Sequence, residues 1–202
     1  ECGEMPGSYS FYLTRGTFRQ RTGSDAEPDF LKALSLEDKN WRPYHTLYNY
    51  YFLRNKYADA LNITQKAMKV AGDSYIIKFD QAMALLYNGN YDESVKILEK
   101  TEILPHEGAG SGRIAWKMSN LLNALNYYSA SKYKKALVYA VNAYKWPENL
   151  GVGRPFKVDE RAEDFISSMI REKMGDRKGS AELLTRVADY NDGKPSRGNS
   201  IN

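Results

Sequence analysis

His106-Glu107 is the one place where a histidine and a carboxylate stand side by side in this chain. General acid–base chemistry there needs a second group of shifted pKa close by, and Glu148 or Asp159 could supply it only if two distant loops fold together. Gly108-Ala109-Gly110-Ser111-Gly112 has the glycine content of a phosphate loop. It lacks the Gly-Lys-Ser/Thr ending, and no strand is read ahead of it. No Ser-His-Asp order, HExxH pattern or carboxylate cage occurs. One cysteine, Cys2, excludes an internal disulfide framework and a thiolate zinc site. Two histidines, His45 and His106, are too few for a histidine-rich metal centre. The expectation is a protein that is not an enzyme and has no catalytic residues, metal or cofactor.

Charge narrows the partner. A net charge of +4 is too weak by itself to imply nucleic acid. From Arg113 to Lys157 the only acidic residue is Glu148. However, Lys132, Lys134 and Lys135 sit where a turn between helices is read. That stretch is taken as a solvated face, with an acidic protein partner as the alternative. The chain is 42% hydrophobic and 27% charged, ordinary for a globular protein with a core. No apolar run approaches the roughly 20 residues of a membrane span. It opens on Glu1 without a basic-then-apolar leader, which reads as a processed chain or a piece of a longer one.

The elements that must position these residues come from a repeat. Asn55-Lys56-Tyr57-Ala58-Asp59-Ala60-Leu61 and Gly89-Asn90-Tyr91-Asp92-Glu93-Ser94-Val95 share turn, polar, Tyr, two polar, small, aliphatic, with the tyrosines 34 residues apart. Ser131-Lys132-Tyr133-Lys134-Lys135-Ala136-Leu137 is a third copy, and Gly175-Asp176-Arg177-Lys178-Gly179-Ser180-Ala181 a degenerate fourth. Tyr44, Leu47, Tyr48 and Tyr51 recur at i, i+3, i+4 and i+7 on one helical face. After the Asn55-Lys56 turn, Tyr57, Ala60, Leu61, Thr64 and Ala67 line a second helix, whose alanines allow close approach. An earlier unit has Phe11, Leu13, Thr14 and Phe18 on its first helix. Pro28 opens its second, and Gly23-Ser24-Asp25 reads as a looser turn. The reading is all-α, with repeats at about 7–40, 41–74, 75–108, 117–150 and 161–190 in a single domain. Insertions fall at about 105–115 and 147–159, and a disordered tail is expected at 191–202.

At these residues the sequence resembles the tetratricopeptide repeat (TPR) superfamily, which implies a TPR-like α-solenoid of antiparallel helix pairs. It departs from the usual repeat where Tyr44 replaces the first-helix Trp, Tyr48 a small residue, and Gly72 the proline between units. Ile103-Leu104-Pro105-His106-Glu107-Gly108-Ala109 and Trp146-Pro147-Glu148-Asn149-Leu150-Gly151-Val152-Gly153-Arg154-Pro155 resemble signatures of an uncharacterised bacterial family. Its members carry an N-terminal β-sandwich, sugar-enzyme-like region and a C-terminal TPR tail. That resemblance implies that this chain is the tail.

Two candidate surfaces follow. The groove of first helices holds Arg15, Arg42, His45, Asn49, Phe79 and Tyr87, with Phe52 and Asp80 at further groove-facing positions. Arginine with aromatics is a hot-spot composition. The insertion edge holds His106, Glu107, Arg113, Trp146, Asn149 and Arg154. The expected function is a non-catalytic protein-binding scaffold, packing against another domain of its parent (the N-terminal one) or binding a peptide. The alternative is a small-ligand or accessory catalytic site formed by the two insertions with that missing domain.

Overall fold

The computed structural model describes residues 7–104 and 110–190, and every regular element among them is helical. The α-helices are α1 (Tyr9–Arg21), α2 (Glu27–Leu36), α3 (Trp41–Phe52), α4 (Tyr57–Ala71), α5 (Tyr75–Tyr87), α6 (Tyr91–Leu98), α7 (Ser111–Ser129), α8 (Tyr133–Ala143), α9 (Arg161–Lys173) and α10 (Arg177–Ala188), with a 3-10 turn at Glu148–Leu150. Two compact units divide the chain. The first holds residues up to 119 together with 147–152, and the second holds 120–146 and the residues from 153 onward.

A single turn geometry explains the repeat. Gly23, Asn55, Gly89, Ser131 and Gly175 all have positive φ, between 57° and 78° for the first four and 83° for the last. After each, the next amide donates to a carbonyl five residues back: Ser24 to Arg19, Lys56 to Tyr51, Asn90 to Leu85, Lys132 to Tyr127 and Asp176 to Arg171, at 2.8–3.0 Å. This is a left-handed C-terminal cap that satisfies orphan carbonyls of the first helix. The turn at Gly23, expected to be looser, closes with the same bond. It differs only in that Asp25 and the buried Ala26 come before α2.

Four residues into the second helix, the two backbones cross. Ala60, Ser94, Ala136 and Ser180 occupy that position in α4, α6, α8 and α10, and all four are buried. Ser94 turns its hydroxyl to the Ala82 carbonyl at 2.8 Å and lies 2.9 Å from Ser119 Oγ, so its polarity is satisfied. In the first pair the sizes are exchanged. The fourth residue of α2 is the fully buried Phe30, and Gly16 of α1 makes room for it. A Cβ at Gly16 would stand 2.5 Å from the Phe30 ring.

The first unit has two core clusters. One gathers Phe30, Leu47, Ile63 and Ile77 with Tyr44, Tyr48, Tyr50 and Tyr51. The other gathers Val95, Leu98, Ile103, Ala115, Trp116 and Leu150. Leu150 arrives from the 3-10 turn and is fully buried, worth about 1.5–3 kcal/mol by apolar transfer. In the second unit Ala124, Ala136, Ala140 and Ile170 form the core, ringed by partly buried tyrosines. Two of these, Tyr127 and Tyr139, stack at 5.4 Å.

This geometry sets the outcome of three substitutions. Ala60→Leu is expected to lower unfolding free energy by roughly 1–3 kcal/mol through overpacking, read by urea denaturation. An unchanged midpoint would show that the crossing point has been misplaced. Ser131→Gly is expected to raise stability by about 1 kcal/mol, because Ser131 is held in the left-handed region where a side chain is strained. Gly89→Ala should move the other way by a similar amount.

Candidate functional site

α1, α3 and α5 pack side by side in the first unit. Asn40 caps α3 by accepting from the Arg42 amide at 3.0 Å. From that start, Arg42, His45 and Asn49 fall at i, i+3 and i+7, along one stripe. Asp80 comes across from α5. His45 Nδ1 lies 2.6 Å from Asp80 Oδ2, and Asn49 Nδ2 lies 3.0 Å from His45 Nε2. With Asn49 donating to Nε2, the ring proton sits on Nδ1 and points at the carboxylate. Asp80 is buried, and that burial pushes its pKa above the ordinary value; the His45 hydrogen bond and charge pull it back in part. Both nitrogens of His45 are thus engaged by protein groups.

Rings continue from this pair without a break. Trp41 meets His45 edge-on at 6.0 Å, and His45 stacks on Tyr48 at 6.5 Å. Tyr48 meets Phe52 at 5.4 Å, Phe52 meets Tyr87 at 4.7 Å, and Tyr87 meets Tyr57 at 5.0 Å. Tyr87 is 41% exposed, so the series ends at solvent. At the other end the exposed Arg42 lies over Trp41, with 5.3 Å from guanidinium carbon to ring centroid, and enters no salt bridge among the described residues. Phe79 is half-buried and packs at the edge of the second core cluster.

Arg15 is less available than its position suggested. Its Nε lies 3.1 Å from both oxygens of the buried Asp29, its Nη2 also touches that carboxylate, and Arg19 adds a contact at 3.2 Å. Hydrogen bonding to Asp29 raises the Arg15 pKa. The α1 arginines therefore neutralise a buried carboxylate of their own chain.

The insertion-edge residues are distributed differently. His106 and Glu107 lie outside the described residues. Arg113 is buried on α7, which begins at Ser111, so it lies on a helix and not on a loop. In the first unit Asn149 pins its own segment. Its amide donates to the Leu98 and Thr101 carbonyls at 2.9 Å and to Glu99 at 3.4 Å, while its carbonyl accepts from the Ile103 amide at 2.7 Å. At Gly151, with φ +71°, a Cβ would stand only 2.6 Å from the Ile103 carbonyl oxygen. In the second unit Trp146 is half-buried and Arg154 pairs with Glu160 at 2.8 Å.

Position within the repeat placed Arg42, His45, Asn49 and Asp80 on one face. It missed the pairing of His45 with Asp80 and the role of Trp41 and Tyr48 in the ring series. The signal was present as apolar rings at i+3 and i+4 spacing beside a histidine. Among the described residues no group of three or more His, Cys, Asp or Glu could hold a metal ion. No helix there is long and apolar enough to cross a membrane.

No protein-family model and no curated protein matches this sequence. Solved structures do. MamA of strain RS-1, as the ArsTM double mutant, is 16% identical with a TM-score of 0.62, over 92% of this chain and 95% of that one. MamA from Desulfovibrio magneticus RS-1, from residue 41 to its end, is 16% identical with a TM-score of 0.60, over 92% and 96%. A PilF structure from Pseudomonas aeruginosa is 15% identical with a TM-score of 0.52, over 92% and 78%. At 15–16% identity the likeness shows the fold alone: this chain is an all-α, TPR-like solenoid of helix pairs.

Proposed function

We propose that the chain is a non-catalytic scaffold that binds a protein segment on the α1/α3/α5 face. The observation that carries this reading is the ring series from Trp41 to Tyr57, with exposed Tyr87 at one end and the salt-bridge-free Arg42 at the other. Rigid aromatics give contact area at little entropic cost, and an arginine recognises carboxylate bidentately. The partner is an extended or helical segment with an acidic group near Arg42 and an apolar side chain near Tyr87. His45 and Asn49 shape the face between them. The non-catalytic reading is supported by His45, whose two nitrogens are engaged by Asp80 and Asn49. The engaged amide of Asn149 likewise supports a pinning role for the second insertion over a ligand site.

The partner segment belongs to another domain of a longer parent or to a separate peptide. The loop resemblance to a family with an N-terminal β-sandwich region supports the first source. The test is a displayed peptide library panned against the chain. Enriched sequences are expected to combine carboxylates with apolar residues, and Arg42→Ala and Tyr87→Ala should each weaken capture about tenfold, while Trp146→Ala leaves it unchanged. Enrichment indifferent to Arg42 and Tyr87 would move the site elsewhere.

The Asp80–His45 pair makes a separate prediction. A carboxyl whose folded pKa is raised holds its proton better when folded, so its contribution to stability falls as pH rises above its ordinary 3.8 and levels off above the folded value. Asp80→Asn removes that loss. Measured by urea unfolding, the variant should gain on the wild type between about pH 4 and pH 7. A difference that stays flat across that range would contradict the burial argument.

A further inference from the structure

In the second unit α8 carries Lys134, Leu137, Val138 and Val141 at i, i+3, i+4 and i+7, one helical stripe. Val138 is 58% exposed and Val141 48%, although the opposite side of α8 is packed through Ala136, Ala140 and Ala143. Met174, just past α9, stands against this stripe. Two adjoining grooves share Lys134 and Met174. One, of about 540 Å³, is bordered by Lys132, Tyr133 and Lys135, and the other, of about 460 Å³, by Leu137, Val138 and Val141. Lys135 lies 5.5 Å from the Tyr127 ring centroid. Lys132 and Lys134 enter no salt bridge among the described residues.

We infer that this groove docks an amphipathic acidic helix of a partner protein. Its aliphatic residues would lie against Leu137, Val138, Val141 and Met174, and its carboxylates against Lys132 and Lys134. With Lys134 the stripe runs for two turns, about 10 Å, of which the apolar part from Leu137 to Val141 spans about 6 Å, room for a short helix laid against it. The charge fixes the partner's sign, since the groove's rim is lysine and no acidic residue occurs between Lys132 and Lys145. This surface lies on other helices than the α1/α3/α5 face, so different variants test the two.

The probe is a synthetic fluorescent helical peptide with leucines at i, i+4 and i+7 and glutamates flanking them, titrated with the 202-residue chain by anisotropy. Saturable binding is expected. It should weaken about tenfold with Val138→Glu, and by a similar factor with Lys132→Glu plus Lys134→Glu. The titrations use the chain carrying Arg42→Ala and Tyr87→Ala, so that the α1/α3/α5 face does not contribute, and a peptide with lysines replacing the glutamates should not bind. Circular dichroism melting checks that each variant is folded, and Val138→Ser takes the place of Val138→Glu if the latter melts early. The proposal is overturned by any of three results: no saturable binding, equal binding of the lysine peptide, or undiminished binding by the folded Val138 variant. Flotation of the chain with phosphatidylserine vesicles, without peptide binding, would assign the surface to a membrane and also overturn it.

Discussion

Each helix pair depends on one demand: the chain must reverse through a left-handed residue and cross the preceding helix at close range four residues into the next. The reversal ties the turn to the last helical carbonyls, as with Lys56 to Tyr51 and Asn90 to Leu85. The crossing then leaves space for a methyl or a hydroxymethyl group, which Ala60, Ser94, Ala136 and Ser180 supply. The two constraints are coupled, because the capping bond fixes the angle at which the second helix starts and therefore which residue meets the first. The α1/α2 pair shows that the demand is on combined volume and not on one residue type. There Phe30 fills the crossing and Gly16 vacates it.

Once small residues hold the crossings, bulk must come from elsewhere, and tyrosine supplies most of it. A buried phenol brings apolar area but also a hydroxyl, which costs about 1–3 kcal/mol if left without a partner. The chain meets this by pointing rings inward from positions where the hydroxyl reaches an element's end. Tyr44 donates to the Asp38 carbonyl, Tyr50 to Asp25, and Tyr51 to Glu27, at 2.8–3.0 Å. Tyr144 does the same in the second unit, donating to Asp164 at 2.7 Å. Asp25 and Glu27 thereby have two tasks, since Asp25 also accepts from the Glu27 amide at the start of α2. The high tyrosine content and the acidic residues at helix starts are two sides of one packing solution.

The helical class and the turns were legible because they rest on local spacing. A positive-φ turn followed by a small residue at a fixed offset leaves a trace in seven residues, and those traces were read at Asn55, Gly89, Ser131 and Gly175. The α3 stripe of Arg42, His45 and Asn49 was legible for the same reason. What sequence could not give was pairing at long range. Asp29 lies fourteen residues from Arg15 and Asp80 thirty-five from His45, and no periodicity says which carboxylate meets which cation. Asn149 was harder still. Its role depends on the carbonyls left open at the end of α6, which only the packed structure brings within 2.9 Å. Arg113 falls within the insertion expected at about 105–115, whereas α7 already begins at Ser111.

The same pairings support the proposed reading of a chain that binds and does not react. A general base must have a lone pair directed at the substrate, and an acid must have a proton free to give. Asp29 is held by Arg15 and Arg19, and Asp80 by His45, whose other nitrogen is held by Asn49. Asp164 is held by Tyr144 and Arg186. Each such group is buried or half-buried, and freeing it would leave a charge or dipole stranded in the interior, at a cost larger than a typical surface contact returns. Arg42 and Tyr87 on the first unit, and Lys132 and Lys134 on the second, are exposed and not under that obligation. These are contact-making side chains. The chain's own carboxylates and histidine thus satisfy a tyrosine-rich interior, while Arg42, Tyr87, Lys132 and Lys134 stay at the surface.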